Sequence, residues 1–279
     1  MGPVLRYRVK QLEIDWQMAQ PIITLTTDFG YADGYVGALK GVILSIAPLA
    51  HIVDITHGIS PQAITQAAFV LQQAVPYFPA DTIHLAVIDP GVGSARRPLA
   101  LRTPQASFVG PDNGLFTPFF TTASHVQIVH LTQSQYWRPQ PSPTFHGRDI
   151  FAPVAAHLSA GVPLAAMGVG MDDPVRLVDT APSRMAGGAL HGTVIHIDYF
   201  GNLITNIPAD WLAAGQWMVE VHGETVPAIS PNYAAVAPGK LVAYVGSSGT
   251  LEVAIREGNG AHELAMKRGD SVLARPAHS

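Results

Sequence analysis

The chain has 279 residues, and 16 lysines and arginines against 20 aspartates and glutamates give it a formal charge of −4. This balance, without any run of basic residues, argues against nucleic acid as a partner. Cysteine is absent, which excludes disulfides, thiolate nucleophiles and cysteine-ligated zinc. Charged residues make up only 13 % of the chain, about half of the ~25 % that is usual in globular domains. A surface so poor in charge predicts burial against other subunits, and therefore an oligomer.

The first twenty residues are predicted to be a possible N-terminal extension that precedes the first strand. They lack the apolar core of a signal peptide and carry Glu13 and Asp15. No segment of the chain reaches the ~18 uninterrupted apolar residues of a membrane span. We therefore expect a cytoplasmic protein that does not interact with a membrane.

Strand and helix patterns alternate from residue 21 to residue 180. Strands are predicted over residues 22–26, 51–56 and 82–88, and helices over 35–46 and 62–75 lie between them. Further short strands follow at 99–102, 107–109 and 126–131, before a helix over 148–158. This alternation predicts βαβ units and hence a Rossmann-like α/β domain with a mainly parallel sheet over residues 21–180.

The pattern changes after residue 180. Residues 181–188 are rich in glycine, alanine and proline and are predicted to form a linker. Beyond them come short β-rich runs, separated by glycine, proline and asparagine, at 190–197, 202–206, 217–221, 241–245 and 251–255. Such runs predict a small antiparallel β-barrel domain over residues 189–279.

Carboxylates stand at the ends of two predicted strands. Asp28 ends the first strand, and Asp89 ends the third in the segment Asp89-Pro-Gly-Val-Gly93. The carboxyl ends of parallel strands form the edge where α/β sheets bind ligands, and a carboxylate there can accept hydrogen bonds from a ribose diol. Arg96 lies seven residues further on, and His146 in a later loop could complete a polar triad. The alternative is that Asp89 only caps its own turn.

Patterns typical of metal, phosphate and serine-hydrolase sites are incomplete in this chain. His51, Asp54 and His57 suggest a metal site, but strand alternation separates the carboxylate from His51, and six extended residues place the two imidazoles ~20 Å apart. We therefore expect no metal. Neither a phosphate-binding glycine fingerprint nor a serine-hydrolase elbow occurs. The turn Gly246-Ser-Ser-Gly249 suits a plain hairpin or an anion site equally well.

Seven short motifs, taken in their order, resemble the S-adenosyl-L-methionine hydrolases, the hydroxide adenosyltransferases related to fluorinase and chlorinase. Each motif is weak alone, but seven in sequence order from about residue 21 are specific. They are Thr27-Asp-Phe-Gly30, Asp54-Ile-Thr-His57, Asp89-Pro-Gly-Val-Gly93 with Arg96, Gly110-Pro-Asp-Asn-Gly114, Phe145-His-Gly-Arg-Asp149, Phe200-Gly-Asn202 and Gly246-Ser-Ser-Gly-Thr-Leu-Glu252.

The resemblance implies an N-terminal α/β domain, a C-terminal β-barrel and a homotrimer. Its active sites would lie between the N-terminal domain of one subunit and the C-terminal domain of its neighbour. The hydrolases carry an Asp-Arg-His triad for water, and this triad falls on Asp89, Arg96 and His146. No cofactor is implied, since S-adenosyl-L-methionine is the substrate and adenosine a product.

The resemblance also implies which residues bind the substrate. Asp28 would hold the ribose hydroxyls, and Gln62 stands where the fluorinase has a tryptophan over the ligand. The remaining assignments all fall in the predicted barrel. Asp198 and Ser247 would bind the amino and carboxylate ends of the methionine part, Phe200 and Asn202 would surround the adenine, and Tyr233 would line the adenosine pocket.

The reaction implied is hydrolysis of S-adenosyl-L-methionine to adenosine and L-methionine by attack of water at C5′. One alternative is a halide-dependent adenosyltransferase of the same family. The charge of Asp89 argues against it, because a fixed carboxylate would repel a halide. A second alternative is a protein that binds S-adenosylmethionine or adenosine without catalysis.

Overall fold

The computed structural model describes residues 20–178 and 181–277. Apart from Gln20, the predicted N-terminal extension lies outside these residues. The described chain forms two β-sheets, one of seven strands and one of nine. None of the helices within the described ranges is long and apolar enough to cross a bilayer.

The first sheet and its helices occupy residues 22–170. In chain order, the elements are β1 (Ile22–Thr27), α1 (Tyr35–Ile46), β2 (His51–Thr56), α2 (Ile64–Ala74), β3 (Thr82–Val87), β4 (Pro98–Arg102), β5 (Ala106–Pro111), α3 (Thr117–Thr121), β6 (Gln127–Leu131), α4 (Ala152–Ser159) and β7 (Gly168–Gly170). Short 3-10 turns cover Val75–Tyr77, Ser134–Tyr136 and Leu164–Met167, and Gly147–Phe151 form a π-helical turn that leads directly into α4.

The strand order in this sheet is β2-β1-β3-β5-β4-β6-β7. The four strands β2, β1, β3 and β5 are mutually parallel. Beyond them, β4 pairs antiparallel with β5, β6 with β4, and β7 with β6. Helix α1 forms the crossover between the parallel neighbours β1 and β2, and α2 leads from β2 past β1 to β3. The three residues between β4 and β5 permit only an antiparallel pair. The predicted α/β fold with a mainly parallel sheet is confirmed.

Two apolar cores lie on opposite faces of the first sheet. Leu39 and Ile43 of α1 pack with Val154 of α4 against one face. Leu71 of α2 packs with Phe116, just before α3, against the other. Because both faces are covered, the ends of the parallel strands are the part of the sheet that can be reached by a ligand.

The second sheet is formed by residues 183–276. Its elements are β8 (Ser183–Arg184), β9 (Leu190–Ile197), β10 (Leu203–Pro208), α5 (Ala209–Leu212), β11 (Trp217–Val221), β12 (Glu224–Val226), β13 (Ile229–Ser230), β14 (Leu241–Val245), β15 (Thr250–Ile255), α6 (Gly260–Glu263) and β16 (Ser271–Pro276), with 3-10 turns at Ala186–Gly188 and Tyr233–Ala235. The order β12-β11-β16-β9-β10-β15-β14-β13 is antiparallel except between β13 and β14. This sheet is the predicted barrel, nearly closed around its own apolar core.

Several element boundaries differ from the sequence prediction. The predicted linker contains β8, which pairs with β9. The predicted helix over residues 148–158 is present, but its first turn is π-helical and begins at Gly147. Helix α2 begins at Ile64 rather than at residue 62, since Gln62 has a left-handed φ of 65°. Strand β16 was missed, although its buried and exposed residues alternate in part.

Candidate active site

A cleft of about 280 Å³ lies at the carboxyl ends of β1 and β3. These strands are parallel neighbours with Thr27 opposite Val87, so the residues that follow them emerge side by side. The predicted pairing of Asp28 and Asp89 at one sheet edge is therefore confirmed. All lining residues fall between positions 28 and 147, among the elements of the first sheet. They are Asp28, Phe29, Gln62, Val87, Asp89, Pro90, Val92, Thr144, Phe145, His146 and Gly147.

Asp89 and Arg96 form a two-point ion pair that is almost fully buried. Arg96 donates from Nε to Oδ1 of Asp89 over 3.0 Å and from Nη2 to Oδ2. The side chain of Asp89 is 6 % exposed and that of Arg96 is 7 % exposed. The intervening turn brings the guanidinium back to the strand end: Ser94 Oγ donates to the Gly91 carbonyl at 2.7 Å and accepts from the Arg96 N–H at 3.2 Å. Asp89 thus does more than cap its own turn.

His146 completes the predicted triad. Its Nδ1 lies 3.0 Å from Nη2 of Arg96. A guanidinium has donors only, so Nδ1 must accept, and the neutral imidazole then carries its proton on Nε2. His146 immediately precedes the π-helical turn. The next residue, Gly147, packs against Phe29 and Val87, since a Cβ added there would be in van der Waals contact at 3.4 Å from both. The loop therefore lies directly on the end of β3.

Burial shifts the pKa values of both titratable members of the triad. It raises the pKa of Asp89, although the charge and hydrogen bonds of Arg96 act in the opposite direction. It lowers the pKa of His146, and the neighbouring Arg96 lowers it further. Nη1 of Arg96 is buried and has no hydrogen-bond partner in the described parts of the chain. The triad therefore offers a carboxylate, a neutral imidazole and an unused guanidinium donor.

Asp149 fixes the proline-rich loop that carries His146. Its carboxylate is 2 % exposed and accepts from Arg148 Nε at 2.7 Å, from Arg138 Nη1 at 3.1 Å and from the Ser142 N–H at 2.9 Å. Burial acts to raise the pKa of Asp149, but these hydrogen bonds and charges outweigh it, so the pKa is lowered. One buried carboxylate therefore ties both ends of the loop together.

Asp28 is held by a contact that the sequence did not predict. Its Oδ2 accepts from the backbone N–H of Gln62 at 2.8 Å, and Gln62 adopts its left-handed conformation at that position. The bond engages one carboxylate oxygen and leaves lone pairs on the other for a ligand. Gln62 thus contributes its backbone as well as a side chain to the cleft wall.

The predicted substrate residues of the barrel lie elsewhere. Asp198 closes its own loop, since it accepts from the N–H groups of Phe200 and Asn202 at 3.0 and 2.8 Å and from Asn202 Nδ2 at 2.8 Å. The loop presents Tyr199 and Phe200 with exposures of 96 % and 70 %. Residues so apolar and so exposed mark a surface suited to a ligand or a partner.

Ser247 and Tyr233 lie on other loops of the barrel. Ser247 is exposed, and the hydroxyl of Tyr233 donates to the Ile255 carbonyl at 3.3 Å. Beneath the Ser247 turn, Glu252 is 7 % exposed and accepts from Ser248 Oγ at 3.1 Å. Burial raises the pKa of Glu252. Sequence reasoning gave Glu252 no role, although a carboxylate within an apolar strand was a signal.

Two other arrangements are less suited to chemistry. No group of three or more metal-ligating side chains occurs among the described residues. A larger cavity of about 370 Å³ lies beside α2 and α3, and its walls are apolar apart from a few neutral polar groups and the imidazole of His84. It contains no carboxylate among those residues, so the polar cleft is the better candidate.

Known proteins match this chain over both of its sheets. Two family models match: the SAM hydroxide adenosyltransferase N-terminal domain over residues 23–168 and the C-terminal domain over residues 192–273. The (R)-S-adenosyl-L-methionine hydrolase of Salinispora tropica is 39 % identical over 90 % of this chain and 96 % of that protein. The enzyme of the same name from Thermus thermophilus is 39 % identical over 90 % and 97 %.

A more distant relative and a solved structure are also similar to this chain over most of its length. A fluorinase of Nocardia brasiliensis is 30 % identical over 92 % of this chain and 97 % of its own length. The crystal structure of an uncharacterised conserved protein from Thermotoga maritima has a TM-score of 0.85 at 35 % identity, and covers 91 % of this chain and 99 % of that one. The chain belongs to the SAM hydroxide adenosyltransferase family.

Proposed function

We propose that this protein hydrolyses S-adenosyl-L-methionine to adenosine and L-methionine through attack of water at C5′. The observation that carries the proposal is the Asp89–Arg96–His146 triad in the same cleft as Asp28. Relatives named (R)-S-adenosyl-L-methionine hydrolase, at 39 % identity over most of the chain, support it.

The substrate makes modest demands on a catalyst. Its sulfonium renders C5′ electrophilic, and methionine departs as a neutral thioether, so no general acid is needed. The protein must place the ribose and bring a water molecule in line with the C5′–sulfur bond. Asp28 is proposed to hold the ribose hydroxyls, and the triad to hold the water.

Asp89 is proposed to take the proton of the water late in the reaction. Water and an ordinary aspartate differ by ~12 pKa units, so full prior transfer would cost ~16 kcal/mol. Burial raises the pKa of Asp89 and narrows that gap. Transfer during formation of the oxygen–carbon bond avoids most of this cost, because the oxygen becomes more acidic as it bonds to carbon.

Arg96 and His146 are proposed to orient the water. Arg96 holds the Asp89 carboxylate at two points and has a further buried donor, Nη1. His146, neutral and protonated on Nε2, can donate one more hydrogen bond. Fixed donors in a site that excludes water stabilise a developing oxygen nucleophile more strongly than solvent does. No cofactor or metal takes part in this scheme.

The barrel is proposed to supply the rest of the substrate site from a neighbouring subunit of a homotrimer. The cleft is lined by residues 28–147 alone, whereas Asp198, Phe200, Asn202, Tyr233 and Ser247 all lie in the barrel. Exposure of Tyr199 and Phe200 suits such a contact. We further propose that the enzyme acts in the cytoplasm, on this small molecule alone.

The test is to incubate the purified protein with S-adenosyl-L-methionine in water enriched in oxygen-18. Liquid chromatography with mass spectrometry should find adenosine and methionine in equal amounts, with one heavy oxygen on the 5′ carbon of adenosine. Absence of adenosine at high enzyme concentration would favour a non-catalytic binder.

The halide reaction is the second candidate, because fluorinases are among the relatives. The negative charge of Asp89 in the cleft disfavours an incoming halide. The same incubation with fluoride, chloride or bromide should therefore yield no 5′-halo-adenosine. Appearance of that product at a rate above hydrolysis would replace the proposed function by the halogenase.

A further inference from the structure

The motif Asp54-Ile-Thr-His57 has no part in the mechanism above, yet it ends at a fully buried imidazole. His57 is 1 % exposed and its side chain 0 %. Nδ1 of His57 lies 2.7 Å from Oγ1 of Thr27, and Nε2 lies 3.2 Å from Oδ1 of Asp54. Lys40 Nζ in turn donates to Oδ2 of Asp54 at 2.7 Å. These four side chains form a continuous polar chain from the surface to the end of β1.

The direction of each hydrogen bond follows from the chemistry of the groups. Burial acts to raise the pKa of Asp54, but Lys40 and His57 outweigh it and the pKa is lowered, so the carboxylate is ionised. Its Oδ1 lies 3.2 Å from Nε2 of His57. A carboxylate at that position favours the tautomer with the proton on Nε2, which leaves Nδ1 as an acceptor for the Thr27 hydroxyl. Thr27 Oγ1 still accepts from the Phe29 N–H at 3.2 Å.

The polar chain holds the segment around Asp28 on both sides. Thr27 precedes it, and the Gly30 N–H donates to the carbonyl of His57 at 2.9 Å. The ring of Tyr31 meets the ring of His57 edge-on, with centroids 5.1 Å apart, and its hydroxyl donates to Asp54 at 3.3 Å. The Asp28 carboxylate takes no part in this polar chain. It lines the cleft and accepts from the N–H of Gln62.

A second threonine–histidine pair joins β1 to β3, and it differs from the first in its surroundings. Thr24 Oγ1 lies 2.7 Å from Nδ1 of His84, which is 0 % exposed. Burial lowers the pKa of His84 to about 4. Among the described residues no carboxylate pairs with this imidazole, and its partner Thr24 lies three residues before Thr27 on β1, away from Asp28.

We propose that His57 is a positioning residue for Asp28, with Asp54 and Lys40 fixing its tautomer. The inference rests on the proposed role of Asp28 in binding ribose hydroxyls. The imidazole of His57 contacts Thr27, and its backbone carbonyl accepts from the Gly30 N–H, so His57 holds the chain on either side of Asp28 and aims its carboxylate at the nucleoside. The hydrogen-bonded pair of Thr24 and His84 is given no part in positioning Asp28.

The experiment measures adenosine and 2′-deoxyadenosine binding by titration calorimetry. The Asp28→Ala variant gives the ratio of the adenosine and 2′-deoxyadenosine affinities that is expected when no carboxylate binds the ribose. His57→Gln is the test, His84→Gln is the matched control on the same sheet, and Asp54→Asn serves if His57→Gln fails to fold. We expect His57→Gln and Asp54→Asn to lower the preference for adenosine about tenfold, as loss of a hydrogen bond to a charged group would. His84→Gln should leave the ratio unchanged.

A merely structural role would give a different result. Both histidine variants would then lower the melting temperature and weaken the two nucleosides equally, which would overturn the inference. An equal change of ratio in His57→Gln and His84→Gln would overturn it as well. Failure of the proposed ribose role is distinguishable, because the Asp28→Ala protein would then keep the preference of the unmodified protein, and the inference would fall with it.

Discussion

Arg96 donates a hydrogen bond to Nδ1 of His146 across 3.0 Å, although fifty positions separate the two residues in the sequence. The same guanidinium binds both oxygens of Asp89. One cation therefore sets the position of the carboxylate and the tautomer of the imidazole together. Loss of Arg96 would release both, so the three residues should behave as one unit in mutagenesis rather than as three additive contributions.

Replacement of the Asp89 carboxylate should separate catalysis from binding. Asp89→Asn keeps the size of the side chain but cannot accept the proton of the water. We expect kcat to fall by ~100-fold or more, while adenosine affinity changes little. Steady-state kinetics and calorimetry measure the two effects. The control is Asp173→Asn, a carboxylate that is 73 % exposed and pairs with Arg97. A full rate in Asp89→Asn would remove the centre of the proposed mechanism.

Acidification should abolish activity. The pKa of His146 is lowered and that of Asp89 is raised, and the proposed mechanism uses the neutral imidazole and the ionised carboxylate. Both groups lose their active form as the pH falls, so kcat/KM should be level at neutral pH and decline below ~6.5. His146→Gln should lower the rate and change the shape of this decline.

The control for that profile is His157→Gln. Burial lowers the pKa of His157 too, but it lies on α4 with its ring against Tyr136. Its replacement should leave the pH profile as it is. If the two histidine variants alter the profile alike, the effect reflects stability and His146 has no special part in it.

Asp149→Asn should loosen the loop that carries His146. The variant weakens the bonds to Arg138, Arg148 and Ser142, and we expect a loss of about 1–3 kcal/mol in the free energy of unfolding. Because the pKa of Asp149 is lowered, this stabilisation is present at neutral pH and is lost as the pH falls through the folded pKa, below ~4.

Urea denaturation at neutral and acidic pH measures that difference. Arg275→Gln, which removes an exposed pair with Glu220, is the control and should cost less than ~1 kcal/mol. We also expect kcat of Asp149→Asn to fall more than its substrate affinity. Equal stability losses at both pH values would contradict the role given to the ionised carboxylate.

Mixing two inactive variants should restore activity if sites are shared between subunits. Asp89→Ala damages the cleft, and Asp198→Ala damages the barrel loop. In a mixed trimer some sites would combine an intact cleft with an intact loop from a neighbour, about a quarter of all sites after random exchange. Light scattering checks the trimer, and the adenosine assay checks recovery. A trimer that exchanges subunits without regaining activity would place both residues in one chain's site.

The residues at the ends of the parallel strands could be predicted from the sequence, whereas the contacts made by the loops could not. Strand ends follow from apolar runs and turn residues, so Asp28 and Asp89 could be placed side by side. Arg96 and His146 were joined to them mainly by resemblance, since contacts across fifty residues leave no local pattern. The left-handed Gln62 was missed because a tertiary hydrogen bond to Asp28, rather than any preference of glutamine, imposes it.

Short strands of the barrel were missed for a related reason. β12 and β13 span three and two residues, too few for any periodicity to be visible. Their existence depends on hydrogen-bonding partners in β11 and β14. The burial of Glu252 likewise depends on neighbouring strands, so its raised pKa could not be inferred from its position in the sequence.

The π-helical turn Gly147–Phe151 makes the loop that carries His146 sensitive to the deletion of a single residue. Such a turn holds one residue more than an α-helical turn, and it is a costlier conformation. Deletion of a single residue there would give a regular helix continuous with α4, and would rotate the preceding chain by about 100° around the helix axis. His146 would then face away from Arg96. A more regular helix would therefore be gained at the expense of the proposed triad.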